Sequence, residues 1–409
     1  MSRAELLRNV PLRALVVAEV ISTTGSQMTW LALPWFVLVT TGSPTKMTFV
    51  LAAEVIGLGL AGLPSGSVLQ RVGARRTMLF ADALRAPLML LVPVLHWTGH
   101  LSYPPLLLLA LLLGALTAPY FAAQRVIVPE LLGEDESTIS QANALTQAAQ
   151  RTTMLLGPPL AGVLIGVFGA TPVLVIDAAT YAASFLLVLV FVPARPPAPA
   201  AQESRGLLAG LRFLVHEPLL KVWGPLFIVG DAAWQVFFAT VPVLTIERFG
   251  ADAKVAGVLY AAFGAGALVG NFLSWRVLAE RVDGLKLVAL TVPFQAAPLW
   301  LLGLNVPAVV LALAIFASGV GNGACNPTIH TIFTLRMPAA IRAKAMTASA
   351  TLWAFGMPLG LFIAGPALSA FGAQPVLIGF AATQTLAMGG VALASLRERA
   401  RGQLEPAPA

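Results

Sequence analysis

Apolar stretches of about twenty residues follow one another from Leu12 to Leu396, separated by short turns that gather arginines. A run of that length is what an α-helix needs to cross the roughly 30 Å hydrocarbon core of a bilayer. Within hydrocarbon each backbone N–H and C=O must be bonded inside the protein, which leaves helices or closed barrels. The alternation of a barrel strand is not seen. The chain therefore reads as an all-α polytopic membrane protein. Its charge content agrees: 11% of the residues are charged, against about 25% in a soluble domain, too little polar material to cover a water-exposed surface.

The periodicity predicts twelve transmembrane helices in two pseudo-symmetric six-helix bundles. The first six spans run over 12–40, 48–69, 77–97, 104–126, 142–168 and 172–192, with a charged connection over 129–141. The second six run over 219–246, 255–275, 285–304, 306–329, 345–371 and 376–396. This gives an N-terminal bundle over 1–192, a linker over 193–218, a C-terminal bundle over 219–396 and a tail over 397–409. The linker opens on a proline-rich stretch, which makes a semi-rigid spacer. It continues with Leu207, Leu208, Leu211, Leu214 and Val215 at helical spacing, which predicts a short amphipathic helix on the cytoplasmic surface. The halves echo each other: Gly157-Pro158-Pro159 in span five answers Gly356-Met-Pro358 in span eleven. Duplicated bundles of this kind are a known basis of alternating access.

The net charge of +7 is explained by orientation rather than by nucleic acid. Arg71, Arg75, Arg76, Arg125, Arg195, Arg205, Arg212, Arg276, Arg281, Arg336 and Arg342 fall at alternate turns together with the basic termini. Lys46, Arg248 and Lys254 are what the other side holds. The positive-inside rule then puts both termini and the linker in the cytoplasm. That is the arrangement of a multi-pass protein of a bacterial cytoplasmic membrane, surrounded by lipid. One cysteine, Cys325, excludes an internal disulfide, and no cleavable leader is evident. No metal cluster, cofactor motif, nucleotide loop of the form Gly-x4-Gly-Lys-Ser/Thr or catalytic constellation is present. The chain is therefore expected to be neither an enzyme nor an ATP-driven pump.

The turn between spans two and three carries Gly66-Ser-Val-Leu-Gln70-Arg71-Val-Gly73-Ala-Arg75-Arg76. It resembles the span 2–3 signature of the major facilitator superfamily, glycine–x–leucine–alanine–aspartate–arginine–x–glycine–arginine–arginine. Gly66, Arg71, Gly73 and Arg75 match. Gln70 stands where the signature has aspartate, so the aspartate-based charge relay is not carried over, and a neutral hydrogen-bonded version is the most that the resemblance implies. Ser22-Thr-Thr-Gly25-Ser-Gln-Met28, Asp82-Ala-Leu-Arg85, Ala142-Asn143 with Gly157-Pro158, and Gly210-Leu-Arg212 through Pro218 are similar to the drug:proton antiporter branch that includes macrolide-efflux and enterobactin-exporter-like proteins. Ser26 departs from relatives that carry an aspartate there. The resemblance implies a transporter, functional as a monomer, that exports a hydrophobic or amphipathic small molecule in exchange for protons. The alternative is a dedicated exporter of one metabolite, siderophore or lysolipid.

Ionisable groups within spans are expensive and mark function by default. Asp231 in span seven is placed first as a proton carrier or partner of a cationic cargo, followed by Glu54 in span two and Glu19 in span one. A structural hydrogen-bonded carboxyl is the other reading of each. Gln27, Trp30, Trp234, Gln235, Phe238, Asn322 and Asn326 are expected to line a substrate cavity, since aromatics with a few amides suit bulky amphipathic ligands; interface anchoring is the bland reading of the aromatics. Asp82 and Arg85, one turn apart, are expected to brace the opening turn. Asp177 reads as structural. Pro158 and Pro358, with Gly157, are expected to bend spans five and eleven at a gate.

Overall fold

The computed structural model describes residues 8–133, 136–194, 207–278, 281–338 and 341–404. Twelve long helices and one short one account for them: α1 (Val10–Thr41), α2 (Pro44–Val72), α3 (Ala74–Trp97), α4 (Tyr103–Leu132), α5 (Glu136–Phe168), α6 (Ala170–Phe191), the short α7 (Leu207–His216), α8 (Leu220–Arg248), α9 (Ala253–Leu273), α10 (Gly284–Ala296), α11 (Ala308–Arg336), α12 (Arg342–Phe371) and α13 (Ala373–Leu404). No strand occurs among the described residues. By length and apolarity ten of these helices can cross a membrane, and α12 adds the apolar segment Phe355–Phe371. α1 lies outside that set because its middle holds Ser22, Thr23, Thr24, Ser26 and Gln27. The protein is a multi-pass membrane protein.

Local chemistry sets the helix ends. Asn9, Ser43 and Asp283 accept backbone N–H bonds at the starts of α1, α2 and α10. Prolines such as Pro34, Pro87, Pro119 and Pro242 sit inside helices, as membrane helices tolerate when neighbours re-satisfy the freed carbonyls. α9 loosens into a π-turn over Ser274–Leu278, and α10 tightens into a 3₁₀ segment, Ala297–Gly303.

Several expectations need correction. The stretch around Gly66 is not a loop. α2 continues through Pro64, Gly66, Gln70 and Arg71 to Val72, and α3 starts at Ala74. Gly73 alone makes the turn, at φ +86°, a conformation that costs glycine little and other residues much. The charged connection after span four is shorter than expected, since α4 runs through Pro129 to Leu132 and α5 starts at Glu136. At the other end α13 continues to Leu404, so the first part of the expected tail is helix. It is held by charge: Arg336 Nη1 lies 2.7 Å from both Glu217 and Glu398, and Arg399 lies 3.3 Å from Asp283.

The chain divides into two compact units, Met1–Gln202 with Asp252–Gly257, and Glu203–Ala251 with Val258–Ala409. In the first, a core of Leu12, Leu15, Met78, Tyr120, Ile127 and Val188 joins α1, α3, α4 and α6. In the second, Trp223, Val288, Val292, Ile329, Phe333 and Val391 join α8, α10, α11 and α13. α7 belongs to this second core: Leu214 is buried in it, and Leu211 and Phe213 pack against it. Of its expected apolar stripe, Leu211 and Leu214 meet protein, while Val215 is exposed.

The two units repeat one packing device. A Cβ on Gly114 of α4 would overlap the Glu54 carbonyl oxygen of α2, with the carbonyl carbon at 2.7 Å. A Cβ on Gly323 of α11 would likewise overlap the Ala267 carbonyl oxygen of α9, with its carbon at 2.8 Å. Helices associate in hydrocarbon mainly by close van der Waals contact, which small residues permit.

Candidate functional site

The first unit holds a chain of polar groups inside its helices. Along α1, Ser22, Ser26 and Thr29 recur at helical spacing and share one face. Along α6, Asp177, Tyr181 and Ser184 do the same. The two stripes meet. Thr29 Oγ1 donates to Asp177 Oδ2 at 2.6 Å, and the Ser26 and Tyr181 hydroxyls are 3.0 Å apart. Gly25 makes room, because a Cβ there would overlap Asp177 Oδ1 and stand 3.0 Å from Thr180 Cβ.

α3 adds the charges. Arg85 Nη2 donates to Asp82 Oδ1 at 2.5 Å, and the side chains are 2% and 1% exposed. Ser184 Oγ donates to Asp82 Oδ2 at 2.7 Å, which leaves the Tyr120 hydroxyl to donate to Ser184 Oγ at 3.3 Å. The Arg85 guanidinium lies 4.1 Å from the Tyr120 ring and 4.2 Å from the Tyr181 ring, so aromatic faces replace the water it has lost. Nη2 also comes within 3.5 Å of Ser22 Oγ. The pair expected to brace the opening turn does something else. It lies about 12 Å along α3 from that turn and ties α3 to α6 and α1. The turn itself is tied by Arg75, whose Nη2 donates to the Leu189 carbonyl near the end of α6 at 2.8 Å. Arg71 is exposed and Gln70 half-buried.

The three acids placed first lie on three helices, Glu19 and Glu54 in the first unit and Asp231 in the second. Glu19 is buried and accepts a hydrogen bond from Gln150 of α5. Glu54 is half-buried and makes no hydrogen bond or ion pair among the described residues. Asp231 is exposed on α8, also without such a partner among the described residues. Next to it, the fully buried Gln384 donates to the Gly230 carbonyl at 2.7 Å.

The expected cavity residues are likewise divided. In the first unit, Trp30 is exposed, and Gln27 packs where Gly157 has no side chain. In the second unit, Trp234 is buried in an aromatic cluster. It stands 5.4 Å from Phe237, 5.9 Å from Phe238, 4.5 Å from Phe263 of α9 and 5.2 Å from Phe380 of α13. Trp234 and Phe238 therefore pack within their own unit. Gln235 beside them is buried. Asn326 Nδ2 donates to Asn322 Oδ1 at 3.3 Å along α11, and Asn326 is exposed. Pro158 and Pro358 lie inside α5 and α12.

The hydroxyl partners of Asp177 escaped the sequence reading, which took Asp177 as structural but weighed span charges one at a time. The signal was there as two matching polar stripes, 22/26/29 and 177/181/184, in spans otherwise apolar.

Comparison with known proteins adds to this geometry. The family model described as Major Facilitator Superfamily matches residues 15–361 and 228–408. The multidrug efflux pump Tap of Mycolicibacterium fortuitum is 27% identical over 408 residues, covering 95% of this chain and 97% of that protein. The enterobactin exporter EntS of Citrobacter koseri is 32% identical over 226 residues, 51% of each chain. Among solved structures, an inward-facing bacterial homologue of the lysosomal transporter Spinster superimposes with a TM-score of 0.77 at 13% identity, covering 100% of both chains. The nucleoside transporter NupG superimposes at 0.76 and 15% identity, over 94% of this chain and 98% of that one. Similarity at that level speaks to the fold.

Proposed function

Since the chain belongs to the Major Facilitator Superfamily, we propose that it is a secondary exporter that moves a hydrophobic or amphipathic, drug-like molecule out of the cell by alternating access, in exchange for protons. The observation that carries this reading is the end-to-end match to a multidrug efflux pump. A dedicated exporter of a single metabolite, siderophore or lysolipid is the second reading, favoured by the half-length match to an enterobactin exporter. The arginine-rich turns support a bacterial cytoplasmic membrane location with both termini in the cytoplasm, and the protein is proposed to work as a monomer.

Roles follow from chemistry. Asp231 is assigned to a cationic group of the cargo, because its exposed carboxyl has no protein partner among the described residues. Gln27, Trp30, Gln235, Asn322 and Asn326 are proposed to contact cargo, with Trp234 and Phe238 as a stiff aromatic backing. Glu19 and Glu54 are the proposed proton carriers. Gly66, Gln70, Arg71, Gly73 and Arg75 are proposed to form a gating hairpin, and Gly157, Pro158 and Pro358 to bend the gate helices.

The test is reconstitution into proteoliposomes with an imposed pH gradient and a panel of ethidium, a macrolide and a catecholate siderophore. Export predicts movement of at least one of them that follows the gradient and stops with a protonophore. Movement indifferent to the gradient overturns proton exchange. Asp231→Asn is expected to weaken ethidium binding about tenfold, the loss of one charge contact worth roughly 1.4 kcal/mol. Ethidium counterflow with half-saturation unchanged from the parent removes Asp231 from the cargo site.

A further inference from the structure

We propose that Asp177 binds the exchanged proton on its Oδ1 oxygen, and that Thr29 of α1 links this site to the cargo. This rests on the proton-exchange reading above and adds Asp177 to the carriers named there.

The oxygens of Asp177 compete for two hydroxyl protons. Thr29 Oγ1 gives its proton to Oδ2 at 2.6 Å. Thr180 Oγ1 stands 2.7 Å from the Asp177 main-chain carbonyl oxygen and 3.2 Å from Oδ1. A hydroxyl has one proton to give, and the nearer carbonyl takes it. Oδ1 is then left against the lone pairs of Thr180 Oγ1, on a side chain with no exposure to water. For a carboxylate that is a costly position. A proton on Oδ1 resolves it: Oδ1 donates to Thr180 Oγ1, Thr180 to the carbonyl, and Thr29 to Oδ2. Each proton then has one acceptor.

The neighbouring charges are engaged elsewhere. α3 brings Arg85 and Asp82, which are paired with each other at 2.5 Å. α1 brings the Thr29 and Ser26 hydroxyls, and Glu19 further back on α1 is bonded to Gln150 of α5. Tyr181, one turn on along α6, has its hydroxyl 3.0 Å from that of Ser26. No cation makes an ion pair with Asp177 among the described residues. The space also selects the ligand. A methyl added at Gly25 would overlap both Asp177 Oδ1 and Thr180 Oγ1, so the α1 backbone lies against the oxygen that needs a proton. A metal ion has no room there. Loading forms one O–H bond and neutralises one carboxylate. Release breaks that bond, returns the proton to water and needs no other reactant.

The link to cargo is α1 itself. Thr29 lies between Gln27 and Trp30, both proposed above to contact cargo. A hydrogen bond to a carboxylate is stronger than one to a neutral acid, so release of the proton tightens the Thr29 contact while Oδ1 and Thr180 push apart. Proton and cargo therefore act on one stretch of one helix, and each changes the affinity for the other.

The experiment uses the full chain in proteoliposomes with a pH indicator inside. In the parent, external ethidium is expected to drive protons out and alkalinise the lumen. Asp177→Asn copies the loaded state, since its amide donates to Thr180 and its oxygen accepts from Thr29. A merely structural acid would be replaced without loss. As a proton site, the variant should keep its unfolding midpoint in detergent and lose about tenfold or more of the proton movement. Its ethidium counterflow without a pH gradient should stay within about twofold. Thr180→Val is the second variant, which decides the matter even where Asp177→Asn does not fold. It removes the acceptor of the loaded proton and should lower proton movement about fivefold, the worth of one hydrogen bond. Proton movement equal to the parent in either variant overturns the assignment. So does a fall in counterflow and proton movement together, in step with a lower unfolding midpoint. A parent that exports ethidium and moves no proton sinks the exchange reading itself, an outcome distinct from a coupled parent with a coupled Asp177→Asn.

Discussion

Arg85→Leu is expected to destabilise the first unit by about 3–5 kcal/mol, the usual cost of removing one partner from a buried ion pair. The side chain is 2% exposed, and its loss strands Asp82 as a charge with only Ser184 as a hydrogen-bond donor. It also removes the guanidinium from the Tyr120 and Tyr181 rings. Thermal unfolding of the detergent-purified variant should show a much lower midpoint. The informative companion is Asp82→Asn/Arg85→Leu. Without a stranded charge the double variant should recover part of the loss, because the greater part of the penalty belongs to the orphaned carboxylate rather than to the missing attraction. A double variant as unstable as the single one would show that ring packing, not charge, holds this site.

Gly114→Ala is expected to be nearly as damaging. The new methyl would overlap the Glu54 carbonyl oxygen, with the Glu54 Cα at 3.0 Å. The obstacle is backbone and cannot rotate aside, so α2 and α4 must move apart. Overpacking of that kind costs about 1–3 kcal/mol, and the upper end applies where no side chain can yield. Intrinsic propensity points the other way, favouring alanine by about 1 kcal/mol in a helix, so a net loss isolates the steric effect. Gly59→Ala on α2 is the control, since nothing lies within 4 Å of its Cβ position. Measured as folded protein recovered from membranes, Gly59→Ala should match the parent and Gly114→Ala should fall well below it. Equal recovery would mean the two helices are less tightly joined than described. Gly323→Ala should repeat the loss in the second unit, where the Ala267 carbonyl takes the place of Glu54's.

Much of the molecule was legible in the sequence because the bilayer is a strict solvent. It demands about twenty apolar residues per crossing and bonded backbone throughout. Counting the runs therefore predicted the helices and the doubling of the chain. The motif around Gly73 carried the family. The errors of detail share a cause. Arginine and proline around Gly66, Pro129 and Arg397 suggested chain breaks, yet α2, α4 and α13 run on, because one left-handed glycine suffices for a turn and helix ends outside the apolar stretch are held by ion pairs such as Arg336 with Glu398.

What the sequence determined by itself is a matter of one-dimensional accounting: helix count, the sidedness expected of the arginines, and the presence of costly carboxyls in spans. Only the tertiary structure decided which groups each carboxyl meets. Asp177 lies 148 residues from Thr29, and Asp82 lies 102 residues from Ser184. A charge in hydrocarbon is judged by its partners, and partners that far apart in the chain are chosen by how helices pack. That same packing placed Trp234 among Phe237, Phe263 and Phe380, inside its own unit, where apolar spacing alone could not distinguish a packed ring from one lining a cavity.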